Sequence, residues 1–210
     1  MLEEGLNKLG LFQDHTNALL IKLLIKYIEE IELFNQAYGL VKVRDRKELI
    51  VKHILDSLAP VSILHGLPNK KIADIGSGAG LPGIPLAICM PDSQFTLVER
   101  MGRRAGFLRN ALAVLGLSNV ILEEAEMEKL SVSKTGRFDL IVFRAFKPLN
   151  GGIIKELLRL LEPGGSIAAY KGRRQSIDEE MSLAVTLPWE VFPLDVPFLE
   201  EERHLVLIKE

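Results

Sequence analysis

A glycine-rich loop, Asp74-Ile-Gly-Ser-Gly-Ala-Gly-Leu-Pro-Gly83, is the part of the sequence that most clearly predicts chemistry. It lies where a run of β-favouring residues gives way to a helical pattern. Gly76, Gly78 and Gly80 carry no β-carbon, so the backbone there can turn sharply and approach a bound molecule closely. Open α/β folds bind ligands at the carboxyl ends of their parallel strands. The loop therefore predicts a ligand site at the end of the first strand.

Two cofactor patterns fit this loop. Gly78, Gly80 and Gly83 match G-x-G-x-x-G, the dinucleotide pattern that places a pyrophosphate at a helix N-terminus. Asp74 and the glycines up to Gly80 instead match D-x-G-x-G-x-G, the S-adenosylmethionine (SAM) loop of Rossmann-like methyltransferases. The second pattern begins where the strand ends, and a carboxylate suits the ammonium end of SAM better than a pyrophosphate. The loop favours SAM, with an NAD(P)-dependent dehydrogenase or a turn without ligand as alternatives.

Further candidate cofactor contacts follow the next two predicted strands. Glu99 lies about 20 residues beyond the loop, where a carboxylate can accept hydrogen bonds from the ribose hydroxyls of an adenosine. The loop after the third strand contains Ala125 and Glu126, whose backbone could contact the adenine edge. Both cofactor patterns use such positions, so these residues indicate a nucleoside without choosing between the cofactors.

Basic side chains at the next strand ends predict a nucleic-acid surface beside this site. Arg144 comes directly after the apolar run 138–143, and Lys171 ends the run 166–171. Because both strand ends face the predicted ligand site, these two side chains should share one cleft with it. Three further cations nearby would complete a positive rim suited to RNA phosphates: Lys147, Arg173 and Arg174.

The first 65 residues form a predicted helical extension. Apolar residues recur at helical spacing over 16–38, with Gly39 as a C-terminal cap, and again over 46–64. A second cationic group lies in this extension: Lys42, Arg44, Arg46, Lys47, Lys52 and His53. His53 is an RNA-binding candidate, although its spacing from Asp56, about one helical turn, also fits a structural contact. No role is assigned to His15, His65 or His204.

Residues 66–210 alternate between strand and helix patterns. The predicted strands are 71–75, 94–98, 119–122, 138–143, 166–171, 189–196 and 204–209, and the predicted helices between them are 83–90, 103–115 and 152–161. This alternation predicts a parallel sheet with helices on both faces. The last two strands follow each other without a helix, which favours an antiparallel pair, and Pro193 and Pro197 favour an edge position for the first of them.

Composition excludes several classes of protein. The chain has 210 residues, 48% of them hydrophobic, with a formal net charge of −2. Such a composition is typical of a globular domain and excludes a uniformly basic surface, although a local basic patch stays possible. The single cysteine, Cys89, excludes a disulfide framework and favours a reducing compartment. With neither a secretion signal nor a membrane-length apolar run in the sequence, we expect a cytoplasmic protein.

Four segments resemble the RsmG (GidB) family in order and spacing. They are Val51-Lys-His-Ile-Leu-Asp-Ser-Leu58, the loop continued to Pro85, Phe138-Asp-Leu-Ile-Val-Phe-Arg-Ala145, and Tyr170-Lys-Gly172. The resemblance covers the chain from about residue 34 to the C-terminus. It implies an α/β, Rossmann-like class I SAM-dependent methyltransferase fold. In that fold a mostly parallel seven-stranded sheet carries helices on both faces, and a helical N-terminal extension (1–65) precedes the SAM-binding domain (66–210).

The resemblance also implies a reaction, methylation of N7 of one guanosine in bacterial 16S rRNA. Its cofactor contacts fall on Gly76, Leu81, Ala125, Glu126 and Arg144, with Glu99 near the ribose. The chain departs from the family pattern in two places, at Gly39-Leu-Val41 and at Glu124, where many members carry a cation. We expect a monomer acting on 16S rRNA or the small ribosomal subunit.

The reaction would need no acid, base or metal from the protein. Guanine N7 carries a lone pair and no proton, so its attack on the SAM methyl group requires alignment and not deprotonation. Arg144 and Lys171 are the candidates for positioning the RNA. The alternatives to an rRNA methyltransferase are the dehydrogenase, a non-catalytic RNA-binding module and a small-molecule methyltransferase.

Overall fold

A seven-stranded sheet forms the centre of the molecule. The computed structural model describes residues 1–11 and 17–210. The strands are β1 (Lys71–Ile75), β2 (Gln94–Val98), β3 (Val120–Glu123), β4 (Phe138–Arg144), β5 (Leu161–Lys171), β6 (Trp189–Pro193) and β7 (His204–Lys209), in the order β3-β2-β1-β4-β5-β7-β6. The first five strands are parallel, and β7 is antiparallel to β5 and β6. The strand order reverses between β1 and β4, which opens a crevice at their carboxyl ends.

Helices cover both faces of this sheet. The described α-helices are α1 (Leu2–Lys8), α2 (Asn17–Tyr38), α3 (Arg46–Leu49), α4 (Asp56–Leu58), α5 (Val61–His65), α6 (Gly83–Cys89), α7 (Gly102–Leu115), α8 (Val132–Thr135), α9 (Gly151–Leu160) and α10 (Arg174–Ala184). Helices α6 and α7 share one apolar core with the N-terminal helices. Helices α9 and α10 pack in a second core on the opposite face. The predicted α/β fold is therefore confirmed.

The N-terminal extension packs into the sheet's own core. Helix α2 lies against α6 and α7. Its side chains Leu24, Tyr27, Ile28 and Ile31 are fully buried in one continuous cluster that also contains Leu207 of β7. The start predicted for this helix at residue 16, together with His15, lies outside the described residues.

The segment predicted as one helix over 46–64 is divided into four pieces. Asp45 caps α3 by accepting a hydrogen bond from the Glu48 amide, 2.8 Å away. A π-helical segment, Ile50–Leu55, follows and leads into α4. Pro60 then separates α4 from α5, because proline has no amide hydrogen to continue a helix. The continuous helix of the prediction was wrong in this respect.

Several other elements differ from the sequence prediction. Helix α10 was not predicted, because only Ile177 and Met181 of its residues are buried and most of the others are polar. Strand β5 begins at Leu161, five residues before the predicted start at Ser166. Strand β6 is the edge strand that its prolines indicated, but it ends at Pro193 and not at Val196. Among the described helices, none has the length and apolarity needed to cross a membrane.

Candidate functional site

The glycine loop leaves the carboxyl end of β1 in a conformation that requires glycine. Gly76, Gly78 and Gly80 have φ values of +72°, +59° and +87°. This left-handed region is unfavourable for residues that carry a β-carbon. At Gly76 space is also limited, because a β-carbon there would lie 2.9 Å from the Phe146 ring. Backbone conformation therefore explains all three glycines, and packing adds a second reason at Gly76.

Asp74, near the end of β1, holds the loop through a hydrogen bond to its far end. Its side chain is fully buried, and Oδ2 accepts a hydrogen bond from the Gly83 amide at 2.9 Å. Oδ1 has no hydrogen-bond partner among the described residues. Burial raises the pKa of this carboxyl to about 7. The sequence analysis expected Asp74 to suit the ligand's ammonium end, but the structure uses it to join the loop to the first residue of α6.

Glu99 ties the same loop to the end of β2. Its Oε2 accepts a hydrogen bond from the Gly78 amide at 2.9 Å, and Oε1 accepts one from the Met101 amide at 2.8 Å. The carboxylate is 3% exposed. Two amide donors fix its orientation, and each carboxylate oxygen keeps a further lone pair for a ligand hydroxyl.

Two cavities meet at this loop. The larger, about 730 Å³, is lined by Gly78, Leu81, His53, Arg144 and Lys171, among other residues. The smaller, about 500 Å³, is lined by Glu99, Ala125, Glu126 and Lys147, among others. Both cavities include Gly76, Arg104, Ala145 and Phe146, so they adjoin at the carboxyl ends of β1 and β4. We call them the large cavity and the small cavity.

Arg144 lies at the centre of a buried polar cluster that the sequence did not predict. Its Nη1 donates to Asp56 Oδ2 at 2.7 Å and to the Lys52 carbonyl at 3.2 Å. Its Nη2 contacts His53 Nδ1 at 3.0 Å. Arg203 Nε approaches Asp56 Oδ1 to 3.3 Å without hydrogen-bond geometry. The cluster joins the π-helical segment and α4 to the end of β4.

Lys171 lines the large cavity as expected, but its charge is neutralised. Its Nζ lies 2.8 Å from both carboxylate oxygens of Glu180. Arg173 and Arg174 are exposed and lie outside the residues lining either cavity. Lys42 and Arg104 line the large cavity with no ion pair or side-chain hydrogen bond to any described residue. The unpaired charge at this cavity therefore lies partly on a residue, Arg104, that the sequence analysis did not select.

Two tyrosines connect the extension to the site, and the sequence analysis selected neither. Tyr27 of α2 donates from its hydroxyl to the carbonyl of Ala79 in the glycine loop at 2.5 Å. Tyr170 of β5 donates to the carbonyl of Ser57 at 2.8 Å. Burial raises the pKa of both hydroxyls well above the usual value, so both are uncharged donors at neutral pH. The sequence signals were Tyr27 within the apolar stripe of α2 and Tyr170 within the family segment Tyr170-Lys-Gly172.

The positions that depart from the family pattern are all structurally accommodated. Gly39 ends α2 with φ +59°, as its predicted capping role requires. The Val41 amide donates to Asn35 Oδ1 at 2.9 Å, and Val41 lines the large cavity. Glu124 forms an ion pair with Arg109 of α7 and lies outside the residues lining the small cavity.

Solved structures with a similar fold include methyltransferases. One is a putative O-methyltransferase from Klebsiella pneumoniae, with a TM-score of 0.63 and 18% sequence identity, covering 100% of this chain and 96% of that chain. Another is the O-methyltransferase TomG from Streptomyces achromogenes, solved in complex with SAM, with a TM-score of 0.60 and 16% identity, covering 94% and 91% of the two chains. These similarities show that the fold is that of class I SAM-dependent methyltransferases.

Closer relatives share sequence over nearly the whole chain. A Treponema pallidum (strain Nichols) protein named ribosomal RNA small subunit methyltransferase G is 44% identical over 212 residues, covering 99% of this chain and 92% of that protein. A Stenotrophomonas maltophilia protein of the same name is 40% identical over 210 residues, covering 99% and 92%. Residues 20–206 match the family described as GidB: rRNA small subunit methyltransferase G. The chain therefore belongs to the rRNA small subunit methyltransferase G family.

Proposed function

We propose that this protein transfers a methyl group from SAM to N7 of one guanosine in the 16S rRNA of the small ribosomal subunit, as a monomer in the cytoplasm. The observation that carries this proposal is the pair of adjoining cavities at the carboxyl ends of β1 and β4. The small cavity has the lining expected of a nucleoside site. The large cavity adjoins it and carries unpaired cations, as a site for an RNA nucleotide requires.

The residues of the small cavity and the loop fit SAM. Glu99 is held by two amides with its remaining lone pairs available for the ribose hydroxyls. Ala125 and Glu126 line the same cavity, where the adenine would lie. Gly76 and Phe146 border both cavities, and Gly78 and Leu81 border the large one, where the methionine part would extend. When bound, SAM supplies a methyl group activated by its sulfonium.

The start of α6 argues against a dinucleotide. In dinucleotide-binding folds, the amides at this helix N-terminus bind the pyrophosphate. Here the Gly83 amide already donates to the Asp74 carboxyl group. A buried carboxyl at this position would also repel a pyrophosphate whenever it is ionised. This contact supports SAM over NAD(P).

The chain's own residues would act by binding and orienting the guanine. Because N7 has no proton, the reaction needs no general base, and alignment of the two reactants can lower the barrier by roughly 7–11 kcal/mol. Phe143, Phe146 and Tyr170 give the large cavity aromatic walls. Such side chains can enclose a base and exclude water. Lys42 and Arg104 would contact the RNA phosphates, while Arg144 and Lys171, already paired to carboxylates, would shape the cavity.

Binding and transfer assays test the proposal together. Calorimetric titration should show binding of S-adenosylhomocysteine and no comparable binding of NAD⁺. Incubation with tritiated-methyl SAM and small ribosomal subunits that lack the modification should then label the 16S rRNA. Binding of NAD⁺ in place of S-adenosylhomocysteine would favour the dehydrogenase. RNA binding without label would favour the non-catalytic module, and label on a small molecule alone would favour a small-molecule methyltransferase.

A further inference from the structure

His53 has one ring nitrogen engaged by the protein and the other available to a ligand. Its Nδ1 lies 3.0 Å from Arg144 Nη2. Its Nε2 has no hydrogen-bond partner among the described residues and is accessible to solvent. The residue lines the large cavity. The unpaired nitrogen therefore belongs to a residue that borders the space in which we place the substrate base.

The contact with Arg144 determines which nitrogen carries the proton. A guanidinium can only donate hydrogen bonds, so Nδ1 must present its lone pair. The proton of a neutral imidazole then resides on Nε2, which becomes a donor. The π-helical segment Ile50–Leu55 holds the ring in this position, and Asp56 fixes Arg144 from the other side at 2.7 Å.

The surroundings keep this imidazole neutral. Burial, followed by the Arg144 cation, lowers the pKa of His53 to about 4. Arg203 and Lys52 act in the same direction, and Glu48 opposes them. At physiological pH the ring is therefore an uncharged donor with a fixed tautomer.

We propose that His53 Nε2–H donates a hydrogen bond to O6 of the target guanine, so that His53 selects guanine and orients its N7. This inference rests on the proposed function. The edge of guanine that carries N7 has two acceptors, N7 and O6. A donor on N7 would block the lone pair that takes the methyl group, whereas a donor on O6 leaves it free. Adenine presents an amino group in place of O6, so the same N–H would meet a second donor and reject it.

A neutral hydrogen-bond donor also suits the positive charge that develops on the guanine during methylation. Methylation at N7 makes the guanine ring cationic. A protonated imidazole against O6 would repel that charge, whereas a neutral one does not. The buried Arg144 thus serves the reaction through His53 by keeping the ring uncharged.

The test compares two variants on two RNAs. His53→Asn keeps an acceptor close to the position of Nδ1, so Arg144 retains its partner, but it does not reach the position of Nε2. His53→Gln places an amide nitrogen near the position of Nε2. Small subunits are reconstituted with 16S rRNA carrying either guanine or 2-aminopurine at the target nucleotide. The analogue keeps N7 and lacks O6.

We expect the wild-type protein to methylate the guanine RNA at least about 10-fold faster than the 2-aminopurine RNA, as for loss of one well-formed hydrogen bond. The intrinsic ratio of the two bases is measured by alkylating both nucleosides without enzyme. The ratio for His53→Asn should lie within about 2-fold of this intrinsic ratio. His53→Gln should retain most of the wild-type ratio. The affinity for S-adenosylhomocysteine is measured in both variants, so that an effect on the methionine end of the cofactor, which would share the large cavity with His53, is separated from the effect on the base.

Two results would overturn the inference. One is an unchanged guanine to 2-aminopurine ratio in His53→Asn. The other is a wild-type ratio equal to the intrinsic ratio of the two bases. This result requires no variant, so it can be obtained even if His53→Asn does not fold. In both cases wild-type protein would still form 7-methylguanosine. Failure of the proposed function would appear differently, as the absence of 7-methylguanosine from wild-type reactions.

Discussion

At the scale of single residues, Asp74 shows how one buried carboxyl group can hold a binding loop at a cost in stability. It anchors the start of α6 through the Gly83 amide, yet its second oxygen lacks a partner. Burial raises its pKa in the folded state to about 7, above the ordinary value of 3.8. The folded protein therefore binds this proton more tightly than the unfolded chain does. The resulting stability is fully present below pH 4 and is lost as the pH rises through about 7.

We predict that Asp74→Asn flattens this part of the pH dependence. The amide keeps an acceptor for Gly83 and cannot ionise. Between pH 5 and pH 8 the free energy of unfolding of the wild-type protein should fall relative to the variant by roughly 2–4 kcal/mol. Urea denaturation at the two pH values measures this difference. Asp92→Asn, at an exposed aspartate, should behave as wild type, and an equal fall in Asp74→Asn would contradict the prediction.

A second prediction separates backbone strain from packing at the loop. Gly76→Ala should destabilise the protein by about 1–2 kcal/mol through its positive φ, and should also weaken S-adenosylhomocysteine binding about 10-fold or more by displacing Phe146. Gly116→Ala is the matched control, because Gly116 has φ +65° and open space around it. It should show the stability loss alone. Equal ligand affinity in the two variants would show that the Phe146 contact does not matter.

The sequence predicted the site residues that are placed by the end of a strand. It did not predict the side-chain pairs formed between residues of different elements. Gly76, Gly78 and Glu99 follow strand ends, so the strand pattern was enough to place them together. Arg144 and Lys171 were also placed in one cleft correctly. Their carboxylate partners, Asp56 and Glu180, lie 88 and 9 residues away along the chain. No spacing rule could reveal the ion pair between Asp56 and Arg144. Because of this pair, Arg144 lines the large cavity as a neutralised side chain and not as a free cation.

At the scale of elements, helix α2 connects the extension to the cofactor loop through the Tyr27 hydroxyl. Tyr27→Phe would leave the Ala79 carbonyl without this donor. We predict a loss of about 1–2 kcal/mol in stability and a several-fold weaker affinity for S-adenosylhomocysteine. Thermal denaturation and calorimetry measure the two effects.

Tyr38→Phe on the same helix is the control, because the Tyr38 hydroxyl has no hydrogen-bond partner among the described residues and its ring packs against Phe34. This variant should match the wild type in both measurements. A Tyr27→Phe protein that binds the ligand as tightly as Tyr38→Phe would show that the loop needs no support from α2.

The π-helical segment explains why the sequence could not resolve this region. Its residues have the apolar spacing of an ordinary helix, and the prediction followed that spacing. A π-helix shifts the register of the side chains that follow, and such segments often lie at functional sites. Here the shifted register brings Lys52, His53 and Asp56 to the end of β4. Helix periodicity alone contains no signal for this rearrangement.

At the scale of the whole molecule, we propose that residues 1–65 and 66–210 fold as one unit, although the sequence divides them by pattern. One apolar core contains Leu24 and Tyr27 of the extension together with Leu97 and Leu207 of the sheet. We predict a single denaturation transition, with fluorescence and circular dichroism giving the same midpoint. A fragment of residues 66–210 should not fold alone, since its α6 and α7 face would lose its covering. Two separate transitions would contradict this prediction.

The most direct test of the central claim is to identify the product nucleotide. Small ribosomal subunits lacking the modification are incubated with the protein and methyl-labelled SAM, and the 16S rRNA is digested and analysed by mass spectrometry. We predict 7-methylguanosine at one position only, formed by the wild-type protein. Label on another atom or base, or at many positions, would contradict the account of a cavity that orients guanine N7 toward the cofactor.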